Sequence, residues 1–243
     1  MSMQTPGAGT AGDAVDAAVA ELVSGGSLEV SADRLEDADA LASALPAGTT
    51  VYVNHLPGRT LAGSLPMLER LHAAGLEPVP HVAARRVASR AELQDFLGHA
   101  VRANGIRKVL LVGGDDPKVA GPWADSVALL ADGALAGCGL REVGLAGYPE
   151  GHPRIAAAAL ARALAEKLHL TAAQGLGASV VTQFSFAPSR VLEYVGSLAD
   201  LYPDLPVYVG IAGPTEPAAL LRYAQRCGVS ASLRALRDQG LGI

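Results

Sequence analysis

Seven times along this 243-residue chain a short β-compatible run is followed by a helical segment, and that alternation restricts the fold more than any other feature. The runs are Ser27 to Val30, Thr50 to Val53, Glu77 to Pro80 leading into His81, Lys108 to Val112, Glu142 to Ala146, Ala178 to Thr182, and Val207 to Ile211. Between them the periodicity predicts helices over Asp33 to Leu45, Thr60 to Ala74, Ser89 to Asn104, about Trp123 to Leu135, Arg154 to Leu170, Pro188 to Leu201, and Glu216 to Cys227, with a short helix in the tail from Ser230 to Ile243. Strands that recur with a helix between them form parallel sheets with crossover connections. The count points to a (β/α)8 TIM-type barrel that lacks strand eight or is truncated before it. A doubly wound open sheet is the competing architecture. It usually carries GxGxxG after its first strand, which Glu29-Val30-Ser31 does not supply.

Local signals agree with these boundaries. Ser89 followed by Glu92 reads as a capping box, and Gly75 and Gly105 as helix C-caps. Asp13 to Ser24, closed by Gly25-Gly26, reads as a short helix laid as a lid across the bottom of the barrel, after a flexible tail over residues 1–12. No Ser- or Pro-rich linker interrupts the middle, so residues 1–243 are expected to form one domain.

Half of the residues are hydrophobic, yet the apolar runs are too short and too interrupted to span a bilayer, so no membrane association and a cytoplasmic location are expected. A formal charge of −5 with arginines scattered singly gives no basic stripe for nucleic acid. Cys138 and Cys227 lack CxxC spacing and a nearby His cluster, which argues against a metal site. A small-molecule ligand is the remaining expectation.

In barrels of this class ligands bind at the carboxyl ends of the strands, and here those ends carry polar groups. Lys108 to Val112 reads as a strand buried on both faces that runs into Gly113-Gly114 and then Asp115-Asp116. The next strand ends in Gly147-Tyr148-Pro149-Glu150-Gly151-His152-Pro153, a stiff loop presenting a Tyr, an acid and a His. Other strand ends carry Asn54-His55, His81 and Gln183-Phe184, and Glu29 is a carboxylate within the first strand.

Taken in order, Pro80-His81, Val112 to Pro117, Ala146 to Pro153, Val181 to Phe186 and Val209 to Ile211 give the chain a pattern that resembles the methylenetetrahydrofolate reductase family, from about Glu29 to Pro214. The resemblance implies a barrel enzyme reducing 5,10-methylenetetrahydrofolate with electrons from NADH or NADPH through FAD. It implies catalytic roles for Glu29, as the acid that opens the methylene bridge, and for Asp115. Folate contacts fall to Asp115, Gln183 and Phe184, and flavin contacts to Asn54, His81, Gly114, Tyr148 and His152. Departures concentrate on the flavin side: Gly113 replaces an expected arginine and Ala161 a helix-borne aspartate. Two other arrangements remain open, hydride transfer without flavin and a folate-binding subunit without reductase activity. The missing strand further suggests a homo-oligomer or a partner subunit that completes the barrel.

Overall fold

The computed structural model describes residues 11–213 and, beyond them, 216, 218, 220, 222, 224 and 229. The elements run α1 (Ala11–Ser24), β1 (Leu28–Val30), α2 (Glu36–Ala44), β2 (Thr50–Val53), α3 (Leu65–Ala73), β3 (Glu77–Ala83), α4 (Arg90–Asn104), β4 (Lys108–Val112), α5 (Ser126–Ala131), β5 (Glu142–Gly147), α6 (Ala157–Ala173), β6 (Gly177–Thr182), α7 (Pro188–Leu201) and β7 (Val207–Tyr208). The strands form one sheet in sequence order, every neighbouring pair parallel. Among the described residues β1 and β7 are not paired, so the sheet curls as a half-barrel consistent with a truncated (β/α)8 barrel. The expected helix from Glu216 to Cys227 and the tail from Ser230 to Ile243 lie outside the described residues apart from isolated positions.

Side-chain alternation along the strands sorts residues into two layers. Val51, Val53, Val82, Val109, Leu111, Val143, Leu145 and Val180 join Met67, Leu68 and Leu71 of α3, Leu93, Phe96 and Leu97 of α4, and Leu129 and Leu130 of α5 in the main core. The opposite face of the sheet gathers Tyr52, Val79 and Leu110, with Val112 and Val181 against them. Burial of the first layer drives assembly, since each fully buried Leu or Val contributes about 1.5–3 kcal/mol.

Several expectations require correction. Strand β4 is buried on both faces as expected, but Lys108 at its start is a charged exception to the apolar run: its ammonium lies 2.6 Å from Glu142 Oε1 and 4.7 Å from the centre of the Tyr208 ring. Burial pulls the Lys108 pKa down, but Glu142 and the two tyrosines outweigh it and raise it, while Lys108 holds Glu142 low, so both groups are charged. The α1 helix is not a packed lid. Val15, Val19, Leu22 and Val23 are all exposed, and the barrel end it was expected to cover presents Arg107, Lys108, Arg141 and Glu142 beside Leu76, Pro78 and Val79. Strand β7 stops at Tyr208, short of Ile211. Beyond it Gly210 passes so close to β6 that a Cβ would meet Thr182 O at 2.5 Å, and its N–H donates to Thr182 Oγ1. The helix expected from Trp123 begins only at Ser126, where Asp125 accepts from the Ala128 N–H.

Candidate active site at the carboxyl ends of the strands

Glu29 does not lie in a buried strand. Among the described residues strand β1 is an edge, Leu28 is exposed, and 58% of the Glu29 side chain is accessible. Loss of bulk water against the barrel wall still raises its carboxyl above the usual range, more than the Asn54 hydrogen bond lowers it. The open edge limits that elevation. Glu29 Oε2 stands 3.9 Å from His81 Nε2, a buried atom without a hydrogen-bond partner. Burial lowers the His81 pKa to about 4, helped by His55, so at neutral pH this is a contact with a neutral imidazole and not an ion pair. Asn54 also accepts from the Ala32 N–H at 3.2 Å, which ties the tips of β1 and β2 together.

His55, at the same strand end as Asn54, has no role assigned by its sequence context, because a histidine beside a Leu-Pro-Gly turn carries no distinctive spacing. It is 6% exposed, and its Nδ1 accepts the Ala83 N–H at 3.3 Å. That tautomer leaves Nε2–H to donate to the Arg59 carbonyl at 3.0 Å. The His55 carbonyl in turn accepts from Arg86.

Arg86 also donates from Nε to Asp116 Oδ2, and Arg85 donates to the carbonyls of Asp116, Pro117 and Ala124. The pair of arginines at the tip of β3 thus clamps the turn after β4. Gly114 in this turn has φ of +90°, a conformation that favours glycine, and a Cβ there would stand 3.5 Å from Ala83 and Arg85 Cβ atoms. Gly113 has open space where a side chain would project. The clamp leaves Asp115 on the exposed side of the turn, 2.9 Å from Arg154 of the loop after β5.

That loop is held on three sides. Tyr148 and His152 meet edge to face at 5.4 Å, Tyr194 hydrogen-bonds the backbone of Tyr148, and Glu150 accepts from Ser185 at 2.7 Å. Gly147 makes the approach possible: a Cβ would lie 2.7 Å from Val180 Cγ1 and 2.8 Å from the Tyr194 hydroxyl. At the tip of β6 the Gln183 N–H donates to Gly147 O, and Gln183 Oε1 accepts from the Phe184 N–H, which leaves the amide NH2 as its outward donor. Phe184 packs edge to face on Phe186.

All the sequence-predicted residues therefore stand at one end of the sheet, in two groups. Glu29, Asn54 and His81 form one across β1 to β3. Asp115, Tyr148 and His152, joined by the previously unremarked Arg154, form the other across β4 and β5, with Gln183 and Phe184 beside it on β6. A cavity of about 620 Å³ is at the opposite end, between Thr50, Glu77, Asn104, Lys108, Arg141 and Tyr208. It lies at the amino ends of the strands and not at the convergence of polar tips, and we take the tips as the site. Among the described residues no cluster of His, Cys, Asp or Glu suits a metal ion, and no helix is long and apolar enough to cross a membrane.

A flavin dinucleotide would need a cradle for its ring and cations or free N–H groups for its diphosphate. The apolar Tyr52, Val79 and Leu110 face of the sheet is almost fully buried, and Val79 lines the cavity at the amino ends, so it gives no exposed ledge for the ring at the tips. The diphosphate is not matched. Arg85 and Arg86 are turned into the protein, His81 is neutral and buried, and His152 Nδ1 accepts from the Arg154 N–H. Ala161 is an exposed methyl group on α6. Gly113 and Ala161 thus do not fit the dinucleotide half of FAD, and the one guanidinium on the β5 loop, Arg154, is paired with Asp115.

The family model described as methylenetetrahydrofolate reductase matches residues 35–234, which takes in every named strand tip except Glu29. Among solved structures, a sugar phosphate isomerase/epimerase from Parabacteroides distasonis superposes with a TM-score of 0.41 at 10% identity, covering 85% of this chain and 84% of that one. A likeness at that level carries no functional argument.

Proposed function

Because the chain belongs to the methylenetetrahydrofolate reductase family, we propose that it reduces 5,10-methylenetetrahydrofolate to 5-methyltetrahydrofolate with NADH or NADPH as hydride donor. The observation that carries this reading is a carboxyl at the tip of β1, raised by desolvation, at the same end of the sheet as Asp115 and Gln183. A group that gives up a proton near neutral pH needs that elevation.

In this mechanism Glu29 protonates N10 of the folate. The bond from N10 to the methylene carbon breaks, its electron pair stays on nitrogen, and an N5 iminium forms. Hydride from C4 of the reduced nicotinamide adds to the iminium carbon and yields the 5-methyl product and NAD(P)+. Asp115 accepts N–H groups of the pterin, the Gln183 amide donates to its ring, and Phe184 packs on its face. Neutral His81 beside Glu29 adds no positive charge that would pull the Glu29 pKa down. The loss of the expected flavin contacts at Gly113 and Ala161 supports transfer directly between the nicotinamide and the folate.

The deciding experiment is the visible spectrum of freshly purified protein, followed by anaerobic addition of NADH and then methylenetetrahydrofolate. Colourless protein that oxidises NADH only when given the folate supports the direct reaction. A flavin spectrum bleached by NADH and restored by folate replaces it with the flavin-dependent reaction. Colourless, inert protein that still binds folate removes the reductase reading in favour of a folate-binding subunit.

A further inference from the structure

Arg154 has no part in the proton and hydride steps, yet its guanidinium stands at the mouth. Its backbone is set by the Gly151 turn, by the His152–Ile155 bridge and by donation of its own N–H to His152 Nδ1 at 3.2 Å. Its side chain is 63% exposed and makes one ion pair, to an Asp115 that is 73% exposed. A guanidinium has several N–H donors in a planar fork matched to carboxylate and phosphate. By contrast Arg85 and Arg86 spend theirs on Asp116, Pro117, Ala124 and His55.

We propose that Arg154 is the anion-binding residue of the mouth, exchanging its ion pair with Asp115 for a phosphate or carboxylate of the incoming ligand. The exchange frees Asp115 to accept N–H groups at the moment the ligand enters. A pair this exposed contributes little to stability, so a ligand anion displaces it readily. Gly113, two residues before Asp115, has open space where a side chain would project, so it puts no bulk beside the pair. This inference rests on the reductase reading for the identity of the ligands: the nicotinamide nucleotide brings a diphosphate and the folate brings glutamyl carboxylates.

The test is calorimetric titration of the full chain, as wild type, Arg154→Gln, Arg154→Lys and Asp115→Asn, with NADH, tetrahydrofolate, and tetrahydropteroate, which lacks the glutamyl group. Arg154→Gln is expected to weaken one charged ligand about tenfold, and Arg154→Lys to recover part of that loss. Weakened NADH assigns the anion to the diphosphate. Weakened tetrahydrofolate with unchanged tetrahydropteroate assigns it to the carboxylates. Asp115→Asn should keep or tighten the same anion, read on NADH itself or as the ratio of tetrahydrofolate to tetrahydropteroate affinity, in which the pterin contact of Asp115 cancels. Unchanged binding of both charged ligands in Arg154→Gln overturns the inference and leaves the reductase reading standing, as does loss of the anion in Asp115→Asn. A wild type that binds neither ligand overturns both.

Discussion

A single carboxyl set apart by its surroundings is the residue on which the chemistry turns. Glu29→Gln keeps the shape and removes the proton, so turnover should fall by at least about a hundredfold, the usual share of a general acid. Single-turnover NADH oxidation measures it, and a variant that retains wild-type turnover removes Glu29 from the mechanism. Stability should move the other way. A carboxyl raised in the fold stabilises fully below the ordinary glutamate range and loses that contribution as pH rises through its folded value. At neutral pH Glu29 is therefore a cost, and Glu29→Gln should melt at the same temperature as wild type or higher. Lys108 is the counterexample, a charge inside the half-barrel that serves structure. Lys108→Met strands Glu142 without its partner and should cost about 2 kcal/mol in urea denaturation, less than the ~3–5 kcal/mol of a fully buried pair because Glu142 keeps some access to water.

Helices and turns here do their work through their ends. At α4 the Ser89 hydroxyl accepts the Glu92 N–H at 3.0 Å, as its spacing predicts, but the Glu92 carboxylate returns to the Ala88 N–H instead of Ser89 and also reaches Leu61 N–H. The capping residue thus ties α4 to the segment before α3. Ser89→Ala should lose about 1 kcal/mol, the usual worth of an N-cap, with no change in ligand affinity. The turn after β4 depends on geometry that only glycine tolerates easily. Gly114→Ala should add about 1–2 kcal/mol of backbone strain, and because Asp115 follows directly, it should weaken folate binding as well. A Gly114→Ala protein with lowered stability and unaltered folate affinity would uncouple this turn from the site.

Across the whole molecule, the neutral histidines tie three strand tips into one pH-sensitive unit. Burial lowers the pKa of both His55 and His81, the latter to about 4, against about 6.5 in the unfolded chain. Their contribution is complete above about pH 6.5 and is lost as the pH falls towards 4, because the unfolded chain takes up the protons first. Denaturation at pH 7 and pH 5 should show wild type losing more stability than His81→Gln over that interval. Equal losses would mean that His81 does not stay neutral in the fold.

The order of elements, the parallel sheet and the polar strand tips were legible in the chain itself, because alternating apolar runs and cap residues act over a few neighbours. Thr50–Val53, Lys108–Val112 and Pro188–Leu201 stand within their expected limits for that reason. Tertiary structure alone decided the rest. Which face Lys108 takes depends on a Glu142 partner supplied by the next strand, and among the described residues Glu29 meets solvent because β1 is an edge. The β3 arginines clamp the β4 turn, and Arg154 reaches Asp115 from 39 positions away. Such contacts join strands that become neighbours only when the sheet forms, so no local pattern announces them.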